Sequence, residues 1–305
     1  MTDPAQIARP RGVEWPTALL AAVIYAGWAA LTWFHDALPW WLLATLGGWF
    51  TAWHSSLQHE IVHGHFTPWP LVNQAVAYPP LMLWMPFDRY RDTHLIHHRN
   101  ERLTLAAVDP ESRYWREDDL AALGPAGRAM VRCESTMLGR VTVGPVWAAL
   151  RFLWCEARAI RNGDGDVAWA WLKALPGVAA VLVWTTWACG MSVPAYLALF
   201  VLPGTALMLI RSFAEHRALP EVERRTASVE NAPVLGLLYL NNNLHAAHHL
   251  MPSLPWYRLP RFHGQCRAGL KDGGAIFYNG YAEVFRRFLL RPHDRLVHPF
   301  QTPAS

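Results

Sequence analysis

Residues 241–252 read NNNLHAAHHLMP. Within them His245, His248 and His249 stand in an HxxHH pattern, and helix positions three and four apart share a face, so the three imidazoles can converge on one point. Neutral imidazole is the commonest metal ligand. One such triplet could be coincidence. The spacing recurs in HLIHHRN, at His94, His97 and His98, and QHEIVHGH sets His59 and His63 four apart. The chain has 15 histidines, and eight of them fall in these three clusters. Scattered core histidines do not group in this way, so the chemistry implied is a metal centre with more than one ion.

Something must carry these clusters to one place. Apolar residues make up 52% of the chain and charged ones 16%, against about 25% charged in soluble domains. There are 17 tryptophans, a residue enriched at membrane–water interfaces. A soluble protein with a large core is the plainer alternative, but four apolar runs weigh against it: 15–34, 39–58, 167–189 and 194–213. Each reaches the roughly 20 residues that span a bilayer. The connections HDALP and GMSVP contain no Lys or Arg. Basic residues flank the other ends: Arg9 and Arg11, then Arg89, Arg91, Arg99 and Arg102, then Arg217, Arg224 and Arg225. The positive-inside rule therefore puts both connections outside, and both termini with the central segment in the cytoplasm. The start MTDPAQIARPRG has no cleavage-site pattern, which makes the first run a retained span.

The expected fold is an all-α integral membrane protein of one domain over residues 1–305. Four transmembrane helices form two hairpins, and segments 59–166 and 214–305 form a cytoplasmic helical cap. All three histidine clusters then reach the cytoplasmic face, joined by His216 in RSFAEHR at the end of the fourth span. Residues 71–87, broken by Pro79 and Pro80, are expected to be a re-entrant pair of short helices. Residues 126–161 mix apolar positions with arginines and read as an amphipathic segment at the interface. The tail after the third cluster is expected to fold on the cap. Cys133, Cys155, Cys189 and Cys266 form no CxxC pair and read as reduced thiols. The net charge of +4 reflects cytoplasmic loops, and no basic surface interleaved with aromatics points to nucleic acid.

All-nitrogen ligation suits Fe, Zn, Cu or Ni. Nine imidazoles exceed one tetrahedral zinc site, whereas two ions with four or five ligands each use them all. In its box order, spacing and spans, from about residue 15 to 260, the chain resembles the membrane-bound fatty acid desaturase superfamily, whose members carry HxxxH, HxxHH and HxxHH boxes. The resemblance implies two iron ions held by His59, His63, His94, His97, His98, His216, His245, His248 and His249. It implies O2 as co-substrate, a long lipid acyl chain as substrate, and two hydrogen abstractions that leave a double bond, or oxygen rebound that leaves a hydroxyl. No HPGG-type cytochrome b5 sequence is present, so electrons are expected from a separate ferredoxin, rubredoxin or cytochrome. Animal-type acyl-CoA members place an Asn four residues before the isolated ligand to hold a metal-linked water. That position is Ser212 in this chain.

Ligand histidines usually donate their other N–H to a neighbour, and Glu60, Glu215, Asp109, Asn242 and His65 stand near the boxes as candidates, each also readable as a solvated or capping residue. His54 reads as a satisfied polar group within its span, His35 as a loop residue, and His263, His293 and His298 as surface residues of the tail. Desaturation of an acyl chain is the first functional reading, being the commoner chemistry of the superfamily. A carotenoid ketolase or hydroxylase is the second, because HHLMPSLPWYRLP and HHRNERLTLAAVDPES are similar to carotenoid ketolases, and an alkyl-chain hydroxylase lies between them. A membrane metal carrier is the non-enzymatic reading. Carriers place polar groups near the bilayer midplane, and clusters at one face count against it. The preference for Arg over Lys points to a GC-rich bacterial genome, hence an inner membrane.

Overall fold

A computed structural model of the chain describes residues 7–106 and 108–300. The first and last residues of the stretches read as cytoplasmic termini, 1–6 and 301–305, lie outside the described residues. The chain runs α1 (Trp15–Trp33), α2 (Trp40–Val62), α3 (Pro70–Ala77), α4 (Phe87–His97), α5 (Glu117–Ala122), α6 (Pro125–Glu134), α7 (Met137–Thr142) and α8 (Gly144–Arg161). It continues as α9 (Gly165–Leu182), α10 (Val193–Tyr196) and α11 (Leu202–Glu215), then β1 (Ala227–Glu230), α12 (Pro233–Leu238), α13 (His245–Leu250), α14 (Leu259–Asp272), β2 (Ile276–Asn279) and α15 (Tyr281–Phe288). α9 runs on into a π-helical stretch, Val183–Ala188, and a second one, Leu197–Val201, joins α10 to α11. All four cysteines are free.

Two compact units interleave along the chain. One holds residues 7–92 and 145–208, the other 93–144 and 209–300. The first, the spanning unit, contains most of the apolar helices. Its core gathers Trp28, Leu31, Leu43, Leu81, Val181, Tyr196 and Phe200. A Cβ on Gly47 would stand 2.8 Å from the Leu199 carbonyl oxygen, and one on Gly48 2.6 Å from the Pro203 Cβ. Small residues let membrane helices approach this closely. Trp28 donates its indole N–H to Tyr196 (3.0 Å), and Tyr196 donates to the Leu81 carbonyl (2.7 Å). These bonds satisfy polar atoms that lipid could not.

Among the described residues three helices are long and apolar enough to cross a membrane: Trp15–Trp33, Gly165–Ala188 and Val193–Glu215. The run expected at 39–58 does form a helix, α2, of 23 residues. It is long enough but not apolar enough, because its second half carries His54, Ser55, Ser56, Gln58, His59 and Glu60. Of the four expected crossings, three therefore have spanning character by length and composition. Residues 71–87 hold one short helix, α3, followed by turns, instead of the expected pair, because Pro79 and Pro80 lack the N–H a second helix would need. The amphipathic stretch 126–161 breaks into α6, α7 and α8. α8 leaves Val146, Leu150, Leu153, Trp154 and Ile160 exposed.

The second, histidine-bearing unit includes a two-stranded parallel sheet absent from the all-α expectation. Ala227 of β1 faces Ile276 of β2, and Glu230 faces Asn279. Four residues per strand are too short for a period-two pattern to stand out in the sequence. α13 turns Leu244 and Ala247 toward Leu259, Phe262 and Cys266 of α14. Its opposite face is thereby left to the histidines.

Candidate metal centre

The triplet asparagines set the approach to α13. Leu240 and Asn241 take positive φ, 51° and 61°, a conformation asparagine tolerates better than most residues. Asn241 donates its side-chain amide to the Trp256 carbonyl (3.0 Å) and Asn243 donates to the Val229 carbonyl (2.7 Å). Asn242 accepts from His245 Nδ1 (2.9 Å). Each amide has a different task, and together they fix the first turn of α13 against β1. α4 supplies His94 and His97 from one face, and His98 follows with its N–H on the His94 carbonyl (3.0 Å). His216 leaves the end of α11 where the Arg217 N–H bonds the Arg225 carbonyl (3.0 Å).

Within the histidine-bearing unit seven of the nine expected ligands come together in two groups. In the first, His97, His216, His245 and His249 have ligand atoms all within 4.8 Å of one another. His216 Nε2 stands 3.0 Å from both His97 Nε2 and His245 Nε2, and His249 Nε2 is 3.1 Å from His245 Nε2. In the second, His98 Nε2 lies 3.0 Å from His94 Nε2 and 3.2 Å from His248 Nε2. All seven are buried except His216, which is partly so. His59 and His63 belong to the spanning unit. They close α2, with His63 as its C-terminal cap, and their rings meet edge-on at 5.0 Å.

Tautomers give these contacts their meaning. An ionised carboxylate can only accept, so His97 Nδ1–H donates to Asp109 (2.9 Å) and His94 Nδ1–H to Glu111 (2.7 Å). His245 Nδ1–H donates to the Asn242 carbonyl oxygen. In the neutral imidazole each Nε2 is then a lone pair, and these lone pairs point at other Nε2 atoms inside a buried cluster. Buried lone pairs that face one another are costly. A Lewis-acidic cation among them removes the conflict, and the donor set fits a metal of borderline softness such as iron. Burial works against a charge on His97, yet Glu111 and Asp109 raise its pKa to about 9. The same carboxylates that orient it thus make it a more basic ligand.

Three of the candidate orienting residues lie against histidines: Asp109 against His97, Asn242 against His245, and Glu215, whose carboxylate lies 3.4 Å from His245 Nδ1 and 3.0 Å from Arg211 Nε. Glu60, Glu215, Asp109 and Asn242 are all buried, which overturns the reading of them as solvated groups. His65 turns to Glu14, 2.8 Å away across a partly buried pair. Ser212 donates to the Leu209 carbonyl (3.3 Å) and accepts from Arg140 (3.4 Å). His54 sits 3.0 Å from the Tyr25 hydroxyl, a satisfied polar group as its position implied.

The tail histidines correct the surface reading. His263, His293 and His298 are 6%, 3% and 3% exposed, because each has a polar partner within its own unit that lets it leave water. Glu111 is the orienting residue that sequence reasoning passed over. Its signal was its place two residues after Asp109, where its N–H also caps the Asp109 carboxylate (2.9 Å).

A sequence profile of the family described as fatty acid desaturase matches residues 36–280, a stretch that contains all nine histidines. No curated protein matches the chain at a comparable level.

Proposed function

The chain belongs to the fatty acid desaturase family, and from that premise we propose that it is a di-iron, O2-dependent membrane oxidoreductase that desaturates a fatty acyl chain on a lipid or acyl carrier. The observation that carries this reading is the convergence of buried imidazole lone pairs in two groups. His97, His216, His245 and His249 would hold one iron. His94, His98 and His248, joined by His59 and His63, would hold the other.

Bound there, the two irons would supply the oxidising power, drawn from O2 and external electrons, that removes hydrogen from adjacent methylenes. The chain's own residues prepare the site. Asp109, Glu111 and Asn242 keep the proton on Nδ1 and so keep Nε2 free for metal. Nine neutral imidazoles bring no charge, so Asp109 and Glu111 also offset part of the cations' charge. The pair Arg211–Glu215 brings a further carboxylate to His245 without adding net charge. The electrons come from a separate carrier of the ferredoxin, rubredoxin or cytochrome type. In this reading α2 is the fourth crossing of a bacterial inner membrane, and its polar end brings His59 and His63 to the cytoplasmic face.

The test is lipid analysis of a bacterial host that also makes β-carotene and expresses either the protein or its His248→Ala variant. New unsaturated acyl chains that vanish with His248→Ala are the expected result. Ketocarotenoids or hydroxycarotenoids with unchanged acyl unsaturation would replace this reading with the carotenoid oxygenase. That second reading is favoured by the likeness of HHLMPSLPWYRLP to carotenoid ketolases. Purified protein is expected to hold about two irons per chain. Protein without iron would remove both readings.

A further inference from the structure

The buried histidines of the tail, His293 and His298, are not among the expected ligands. Both nevertheless lie on hydrogen-bonded lines that end at the four-histidine group. Arginine has no acceptor, so Arg113 Nη2–H donates to His293 Nδ1 (2.5 Å), and His293 Nε2–H is left to donate to the Tyr278 hydroxyl (3.1 Å). The same guanidinium donates to the Phe213 carbonyl (2.6 Å) and to the carbonyl of His216 itself. Its charge also lies over the Tyr114 and Phe213 rings at 5.8 and 5.7 Å. Arg113 therefore has one available orientation, and the backbone of His216 is fixed by it.

The second line starts at His298. Its Nδ1 accepts from the Phe300 N–H (3.2 Å), which leaves Nε2–H to donate to the Thr104 hydroxyl (3.0 Å). Thr104 has a φ of +68°, an outlier for a β-branched residue. Such a conformation persists only where its surroundings over-determine it. Three bonds do so: the one from His298, the Thr104 N–H on Asp109 Oδ2 (2.8 Å), and the Thr104 carbonyl accepting from Ser112 (2.7 Å). The other oxygen of Asp109 orients His97. The segment between the two histidines is itself held, by Asp294 on the Tyr114 hydroxyl (2.6 Å) and by the Leu296 carbonyl on the Trp115 N–H (2.8 Å).

We infer that the C-terminal segment 293–298 is a positioning element for one metal site of the pair, acting through Arg113 on His216 and through Thr104 and Asp109 on His97. This rests on the two-iron reading above. His293 and His298 touch neither metal nor substrate in this scheme. They set two of the four imidazoles that would hold one iron, and leave the group of His94, His98 and His248 to its own partners.

The test uses full-length protein, purified as the holoenzyme, in the wild-type form and as His293→Ala, His298→Ala and His298→Gln. Iron per chain and iron affinity after reconstitution are measured beside helical content by circular dichroism. The wild type is expected to hold about two irons. Each alanine variant should keep its helical signal and lose about 10- to 100-fold in affinity at one site, the range for groups that orient a ligand, so that about one iron remains. The amide of His298→Gln, which can still donate, should recover most of the loss. Paired changes locate the site: His298→Ala with His245→Ala should lose no more iron than His245→Ala alone, whereas His298→Ala with His248→Ala should lose both. Two irons at wild-type affinity in the alanine variants would overturn the inference, as would equal loss from both sites or loss together with the helical signal. A wild type without iron would instead overturn the two-iron reading, and the inference with it.

Discussion

In the spanning unit, Thr32, Thr51 and Thr185 return their hydroxyls to the carbonyls of Trp28, Gly47 and Val181, one helical turn back. Gln58 donates to the Ala77 carbonyl. In the histidine-bearing unit, buried imidazoles aim lone pairs at one another at 3.0 to 3.2 Å. In the first region these polar atoms bond nearby backbone groups, since lipid offers none. The second leaves its most buried acceptors facing a shared centre. One region pairs these groups within the polypeptide, and the other gathers imidazoles placed to hold a cation.

Metal removal should therefore separate the two regions most strongly. A ligand bound only by the folded state at a thousand times its Kd stabilises by about 4 kcal/mol, so a chelator should lower the Tm markedly and increase hydrogen exchange in 93–144 and 209–300 before it does so in 7–92 and 145–208. An unchanged Tm would break the comparison. The next largest effect is expected within the spanning unit, from Glu156→Gln. The Glu156 carboxylate is buried, takes two bonds from Arg89 (2.7 and 2.9 Å) and a third from Trp171 (3.0 Å). Losing its charge breaks a buried ion pair, at a cost of about 3 kcal/mol, read by thermal unfolding in detergent with metal content unaltered.

Asp109→Asn should do the reverse, with little loss of fold and about 10- to 100-fold weaker metal binding, measured by competition with a chromogenic chelator. Thr32→Val removes the acceptor for the Trp184 indole (2.9 Å), and interhelical bonds of this kind average about 0.6 kcal/mol in a bilayer. A shift several times larger would mean that the spanning unit, too, depends on single polar contacts.

The smallest effect is electrostatic and lies at the surface of the histidine-bearing unit. Arg267, with His263, lowers the Glu230 carboxyl from 4.5 to about 2. A depressed carboxyl stabilises the fold fully above its unfolded pKa and loses that contribution as pH falls toward its folded one. Thermal unfolding should therefore show a small loss between pH 4.5 and 2 that Glu230→Gln removes.

Eight of the nine histidines were legible because helical spacing is local: such boxes put their members on one face whatever surrounds the helix. Three apolar helices were legible by length and composition for the same reason. α2 was only half legible, since the polar residues that prepare it for His59 and His63 dilute its apolar character. The two-stranded sheet pairs segments nearly 50 residues apart, and nothing in either strand's four residues announces the other. Asp109 and Asn242 could be guessed from their nearness to a box. Glu111 stands 17 residues from His94 and needed the fold to bring it there.

By itself, then, the sequence singled out the candidate ligands and the apolar helices that carry them, because helix period and hydrophobicity act over a few residues. Tertiary structure alone decided which histidines share a centre, which carboxylate faces each Nδ1, and that His293 and His298 are buried. Those outcomes depend on bonds between segments far apart in the chain, such as Thr104 with His298 and Arg113 with His293. A bond of that kind leaves no periodic trace in either segment, and only folding brings its two ends together.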